Sequence, residues 1–193
     1  NASRMQHLLN QLLDIRKIDV GKLKPIVYYS DFESFISNVL GSFQTFAEEN
    51  EIAFNLNQNI RDPKMWFDPD MLEKAISNLF INAFKYSPCG SKINLTINDY
   101  DKEPAHSTFL SLSNDFHLIR SNHKKFDKGD RYLSIEIEDC GEGMDSKEID
   151  RIFERFYQNN SSKRSANIGS GIGLSLTRDL IELMHGYIFV QSK

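Results

Sequence analysis

Apolar residues near the start of the chain recur at helical spacing: Met5, Leu8, Leu12 and Ile15, with Leu9, Leu13 and Ile18 beside them. That is the stripe of a helix that packs against other helices. GKLKP supplies a helix-stopping glycine and then a proline, which predicts a helix over 1–20 and a linker over 21–25. IVYY (26–29) reads as a strand, and Ser30 with Glu33 has capping-box spacing. The helix it opens carries Phe32, Phe35, Ile36, Val39, Leu40, Phe43 and Phe46 on one face and ends near Asn50. Ile52, Phe54 and Leu56 alternate with polar residues, as in a half-buried strand. Asp68-Pro69 caps the next helix, which runs to about Lys85 with Leu72, Ala75, Ile76, Leu79 and Ala83 on one side.

Ser87, Pro88 and Gly90 break that helix, and Ile93, Leu95 and Ile97 form a strand expected to pair with Leu133, Ile135 and Ile137. Residues 99–131 are polar and locally basic, and read as an elaborated hairpin with a mobile tip, its patch FLSLSNDFHLI extending the strands. A short helix at 146–150 and a flexible stretch from Asn159 to Asn167 follow. GSGIGL opens a helix with Ile172, Leu176, Leu180, Leu183 and Met184, ending near His185-Gly186 before the strand YIFV. Helices segregated from paired strands, without βαβ alternation, predict an α+β fold: a two-layer α/β sandwich, one mixed sheet covered on one face by helices.

A chain of 193 residues fits one domain with a short appendage. Lys plus Arg number 23 against 27 Asp plus Glu, and the net charge of −4 supplies no field to attract a phosphate backbone, so nucleic acid is excluded as the expected partner. No apolar run approaches the roughly 20 residues of a membrane span, and the first residues lack the layout of a secretory signal. The fragment is expected to be soluble and cut from something longer. Cys89 and Cys140 lie far apart and the five histidines have no ligand rhythm, which predicts a reducing compartment and no structural zinc.

Three places carry candidate chemistry. Asn78, Asn82 and Lys85 fall within an arc of roughly 60° on a helical wheel, opposite the apolar side. Carboxamide oxygens suit a hard cation such as Mg²⁺, and an ammonium suits a phosphate oxygen, although a plain solvated face is the alternative. Leu133, Ile135, Ile137 and Asp139 share one face of a strand by period two, so Asp139 is expected to point toward the core and to need a donor such as a ligand amine. Gly141 and Gly143 follow, leaving room for a flat group; a tight turn before the helix at 146 is the alternative. Gly169, Gly171 and Gly173 open a helix, where free N–H groups and the helix dipole favour an anion. Lys163 and Arg164, just before them, are placed to close over a triphosphate, with a plainly solvated loop as the alternative.

In this order the segments resemble the ATP-binding catalytic domain of sensor histidine kinases, in the wider GHKL group with its Bergerat fold. NLFINAFKYSP (78–88) looks like the family's N box, DCGEGM (139–144) its first glycine box, IFERFYQ (152–158) its F box and GSGIGLSL (169–176) its second glycine box. The match spans about 25–193, and residues 8–25 are similar to the end of a dimerisation and phosphoacceptor helix with its linker, in wording reminiscent of Bacteroides-type hybrid sensors. The resemblance implies ATP and Mg²⁺, with Asn82 as metal ligand, Asn78 and Lys85 near the phosphates and Tyr86 beside the adenine. Asp139 would accept from the adenine amino group. Gly141, Gly143, Ile137, Met144 and Leu174 would shape the base pocket, Phe153 and Phe156 would anchor the ATP lid, and Gly169, Gly171 and Gly173 would meet the phosphates.

It further implies a protein-histidine kinase that passes the γ-phosphate to a histidine of its own phosphoacceptor domain, within a homodimer, and then to a response regulator or receiver domain. Such a sensor would be anchored in the bacterial inner membrane by segments upstream, with this portion cytoplasmic. The acceptor motif itself is absent, His7 reading as a bundle-surface histidine, so the fragment is not self-sufficient for autophosphorylation. Gln158 stands where many members carry a basic residue, and the family's closing strand after YIFVQSK is missing, which implies an unpaired sheet edge. The competing readings are a GHKL-type ATPase, disfavoured because the amide of Asn78 is no general base, and a non-catalytic nucleotide-gated interaction module.

Overall fold

The computed structural model describes residues 2–100, 116–119, 132–158 and 169–192. Helix α1 (Ala2–Asp19) closes in two backbone bonds, Gly21 N–H to the Ile18 carbonyl and Lys22 N–H to that of Lys17, both 2.8 Å. This pair of reversed bonds terminates the helix where the glycine predicts. Strand β1 (Tyr28–Asp31) pairs antiparallel with β3 (Lys64–Phe67). Asp31, rather than Ser30, caps α2 (Phe32–Glu49), its carboxylate accepting from the Ser34 N–H. The cap sits one residue later because β1 stays in register to the pair Asp31↔Lys64. That bond from the Ser34 N–H favours the ionised form and lowers the Asp31 pKa.

Helix α3 (Pro69–Tyr86) begins as its Asp-Pro signal predicts, Asp68 accepting from the Met71 N–H. The mixed sheet consists of β2 (Ala53–Asn59), parallel to β4 (Lys92–Tyr100), which is antiparallel to β6 (Tyr132–Glu138). Leu95 opposes Ile137 and Ile97 opposes Ile135, the pairing expected from alternation. Of the patch expected to extend these strands, β5 (Phe116–Ile119) instead pairs antiparallel with β7 (Ile188–Gln191); the rest of 101–131 lies outside the described residues, as does the stretch 159–168. Two further helices are α4 (Ser146–Ile149), closed by a capping box between Asp145 and Glu148, and α5 (Gly173–Leu183).

Helices cover one face of the mixed sheet. Phe32 and Ile36 of α2 and Ile76 and Phe80 of α3 are buried with Ile93, Leu95 and Ile97 of β4. Each such side chain contributes about 1.5–3 kcal/mol by leaving water. Phe54 of β2 stands edge-on to Phe80 and Phe84, with centroids at 5.5 and 5.1 Å. The other face is polar: Asn55 donates to Asn94, and Asn59 to Asn98, each at 2.9 Å. A smaller cluster of Ile15, Met71, Ile172, Leu176 and Leu180 joins α1, α3 and α5. Along α1 Gln11, Asp14 and Ile15 are buried and Ile18 packs beside them, while Met5, Leu9, Leu12 and Leu13 are exposed. Among the described residues no helix is long and apolar enough to cross a membrane.

Candidate functional site

The last turns of α3 form a spine against which two distant glycine-bearing segments come to rest. Asn78 is buried, 6% exposed, and its Nδ2 donates to the Gly173 carbonyl at 3.3 Å, 95 residues away in sequence. One turn on, Asn82 is half-buried and has no side-chain hydrogen bond among the described residues. The Nζ of Lys85 lies 3.3 Å from the position a Cβ on Gly169 would take, and donates to the Tyr86 hydroxyl at 3.0 Å. Asn78 and Lys85 thus face the glycine segment 169–173. The N-cap residue of α5, Ile172, gives no side-chain cap, so nothing from that position competes for the first-turn N–H groups.

Tyr86 meets the remaining segment. A Cβ on Gly141 would stand 2.7 Å from Asp139 Oδ1, so a side chain there would displace that carboxylate, and 3.4 Å from both the Cβ and the carbonyl oxygen of Tyr86, which places the segment in contact with the end of α3. Asp139 corrects the expectation from alternation. Its side chain is exposed, and its Oδ1 accepts from the Gly141 N–H at 2.7 Å. The reason is that the ladder ends at the pair Asn94↔Glu138, so Asp139 lies past the last paired residue and is released from the inward face. Ile137 packs against the main core; Met144 and Leu174 are half-buried, Met144 donating its N–H to Ser192 Oγ at 2.7 Å. Gly143 adopts φ of 74°, in the left-handed region.

The F-box segment crosses the glycine segment backbone to backbone. The Phe156 N–H donates to the Gly171 carbonyl at 2.8 Å. A Cβ on Gly171, whose φ is 69°, would fall 2.6 Å from the Phe156 carbonyl carbon. Gln158 Nε2 adds a bond to the Gly169 carbonyl at 2.8 Å. Phe153 is buried, but Phe156 is 64% exposed at φ of 66°, so it anchors through its main chain and leaves its ring in solvent. Such a conformation is costly for a bulky residue and persists because both sides of the crossing hold it. Lys163 and Arg164 lie outside the described residues.

Sequence reasoning missed the contribution of α1. Gln11 Nε2 donates to Asn78 Oδ1 at 3.1 Å, and Ser170 Oγ donates to Gln11 Oε1 at 3.5 Å. Asp14 pairs with Lys74 at 3.0 Å. Burial works against the charged Lys74, but bonds to Asp70 and Asp14 outweigh it and raise its pKa. Arg155 of the F box grips Asp19 with both terminal nitrogens, at 2.7 and 2.9 Å, and Asp179 of α5 at 3.1 Å. The hydrogen bonds from Arg155 hold the Asp19 carboxyl below the ordinary range, and the guanidinium is raised in turn. The only available signal was the spacing of Gln11, Ile15 and Ile18, an arc that begins with a polar residue.

A mixed sheet covered on one face by helices, with two glycine segments and an F-box crossing gathered along an asparagine-bearing helix, defines a nucleotide-binding α+β domain of the GHKL type. The chain belongs to the histidine kinase-, DNA gyrase B- and HSP90-like ATPase family, whose family model matches residues 67–193. Its relatives include sensor histidine kinases. It is 26% identical over 191 residues to histidine kinase P4 of Formosa agariphila, covering 97% of this chain and 12% of that protein. The fold resembles the histidine kinase AdeS of Acinetobacter baumannii, with TM-score 0.62 and 17% identity over 94% of this chain and 68% of that one. Full-length ShkA in complex with AMPPNP gives TM-score 0.63 and 19% identity over 96% of this chain and 34% of that one. The chain spans less than a fifth of the length of P4 and of comparable curated relatives.

Proposed function

We propose that the cleft along α3 binds Mg²⁺-ATP and presents its γ-phosphate to a histidine on the phosphoacceptor domain of the same protein, within a homodimeric two-component sensor. A response regulator or receiver domain would take the phosphoryl group next. The reading puts the domain on the cytoplasmic side of a bacterial sensor anchored in the inner membrane. One observation carries it: Asn78, Lys85 and Tyr86, within nine residues of one helix, meet Gly173, Gly169 and Gly141 respectively.

The residues present fit the metal. Among the described residues no three His, Cys, Asp or Glu side chains gather into a metal-holding group. Asn82, with an unengaged carboxamide, suits Mg²⁺, which keeps waters and takes its other ligands from phosphate. Bound there, Mg²⁺ supplies neutralisation of charge on the phosphates. Lys85 and the first-turn N–H groups of α5 hold phosphate oxygens, while Asp139, exposed beside Gly141, accepts from the adenine amino group. Asn78 offers an amide where hydrolysis would need a base, which favours transfer to a side chain.

Asn82→Ala is expected to abolish the Mg²⁺ dependence of ATP binding in calorimetry, and Asp139→Asn to weaken ATP by about tenfold or more through loss of a charge-assisted bond. Unchanged Mg²⁺-ATP affinity in both variants rejects the assignment. Radiolabelled transfer to a longer chain carrying the acceptor histidine then tests the reaction: no labelled histidine rejects the kinase.

A further inference from the structure

We propose that Gln11 of α1 is a positioning residue for the phosphate end of the nucleotide site, acting by fixing which end of the Asn78 carboxamide meets the Gly173 carbonyl. The inference rests on the nucleotide reading of that cleft. A backbone carbonyl can only accept, so the end of Asn78 that faces Gly173 is the nitrogen, at 3.3 Å. Its oxygen then faces α1, and at 6% exposure it needs a donor from the protein. Gln11 Nε2 is that donor at 3.1 Å, itself on a side chain that is 6% exposed. The other end of Gln11 accepts from Ser170, within the glycine segment.

The orientation matters because phosphate oxygens accept hydrogen bonds. With nitrogen toward Gly173, Asn78 holds the carbonyl of the first residue of α5 and so seats the turn whose N–H groups an anion would meet. Reversed, it would set its own oxygen against that carbonyl, and two acceptors facing each other would push the turn out of place. Gln11 therefore selects the helpful orientation, from a helix that no nucleotide motif contains. It is not what holds α1 in place: Ile15 packs in the cluster with Met71 and Leu176, and Asp14 pairs with Lys74. The contact can be altered while the helix stays docked.

Two variants of the full chain test this. Gln11→Met keeps the length and packing but removes the donor. Gln11→Glu, whose carboxylate can only accept, draws the Asn78 nitrogen toward α1 and turns the oxygen to the Gly173 carbonyl; because burial raises the pKa of a carboxyl, binding is also read at about pH 9. The probes are Mg²⁺-ATP by calorimetry and adenosine by displacement of a fluorescent nucleotide. Gln11→Met is expected to weaken Mg²⁺-ATP by about tenfold and Gln11→Glu by more, with adenosine affinity held within about twofold in both. A structural strut would lower both ligands together or neither. Mg²⁺-ATP binding at wild-type strength in either variant, or a parallel loss of adenosine, overturns the role of Gln11 and leaves the nucleotide site standing. Wild-type protein that binds neither ligand overturns both.

Discussion

Between α2, α3 and the mixed sheet, the core is made of Phe32, Phe80, Phe84 and the isoleucines and leucine of β4, and its interactions are areas of contact. Between α1, α3 and α5, apolar side chains are fewer, and Gln11, Asp14, Asn78, Thr177 and Asp179 are buried among them. Each of those polar groups has a named partner, as when Thr177 Oγ1 donates to the Gly173 carbonyl at 2.9 Å. Apolar burial is non-directional and tolerates small shifts; a buried hydrogen bond is lost outright when its partner moves. The first region is therefore suited to holding the fold and the second to registering what is bound or docked beside it.

Three measurements sharpen that contrast. The largest effect belongs to Phe80→Ala, which should cost about 3–5 kcal/mol in urea unfolding because it empties the centre of the aromatic cluster. Asp179→Asn comes next, at about 2 kcal/mol, since it weakens the bonds from Arg155 and Arg178. A cost above that of Phe80→Ala would reverse the comparison. The smallest effect on unfolding is expected for the exposed Asp19, whose role is local. Its folded pKa is lowered, so the Arg155 contact contributes in full above the ordinary carboxylate range and is lost as pH falls through the lowered value. Protection factors along α1, corrected for the intrinsic pH dependence of exchange, should thus fall below about pH 4 in the native chain. The fall should be smaller in Asp19→Ala, where the carboxylates of Asp14 and Asp179 remain to respond; an equal acid response in both would remove Asp19 as the fastening.

The parts of this architecture written into short-range pattern were readable from the residues. Helix α3 announces itself by an Asp-Pro cap and a long apolar stripe, and the β4–β6 register follows from two alternating runs. Strand β3 does not: its four residues give too short an alternation, and Trp66 stays exposed. For Asp139, period two holds only while the ladder lasts, and no sequence rule marks its final pair. Phe156 reads as an aromatic anchor, yet its hold comes from an N–H that every residue type except proline carries. Gln11 is harder still, because a glutamine away from the apolar stripe looks solvated until the helix it meets is known.

The main-chain crossing of Phe156 with Gly171, reinforced by Gln158 on Gly169, fastens both ends of residues 159–168 before any ligand is considered. In mechanical terms it is a buckle: a strain on one strap passes to the other, so the Phe156 segment and the Gly171 segment shift together or not at all.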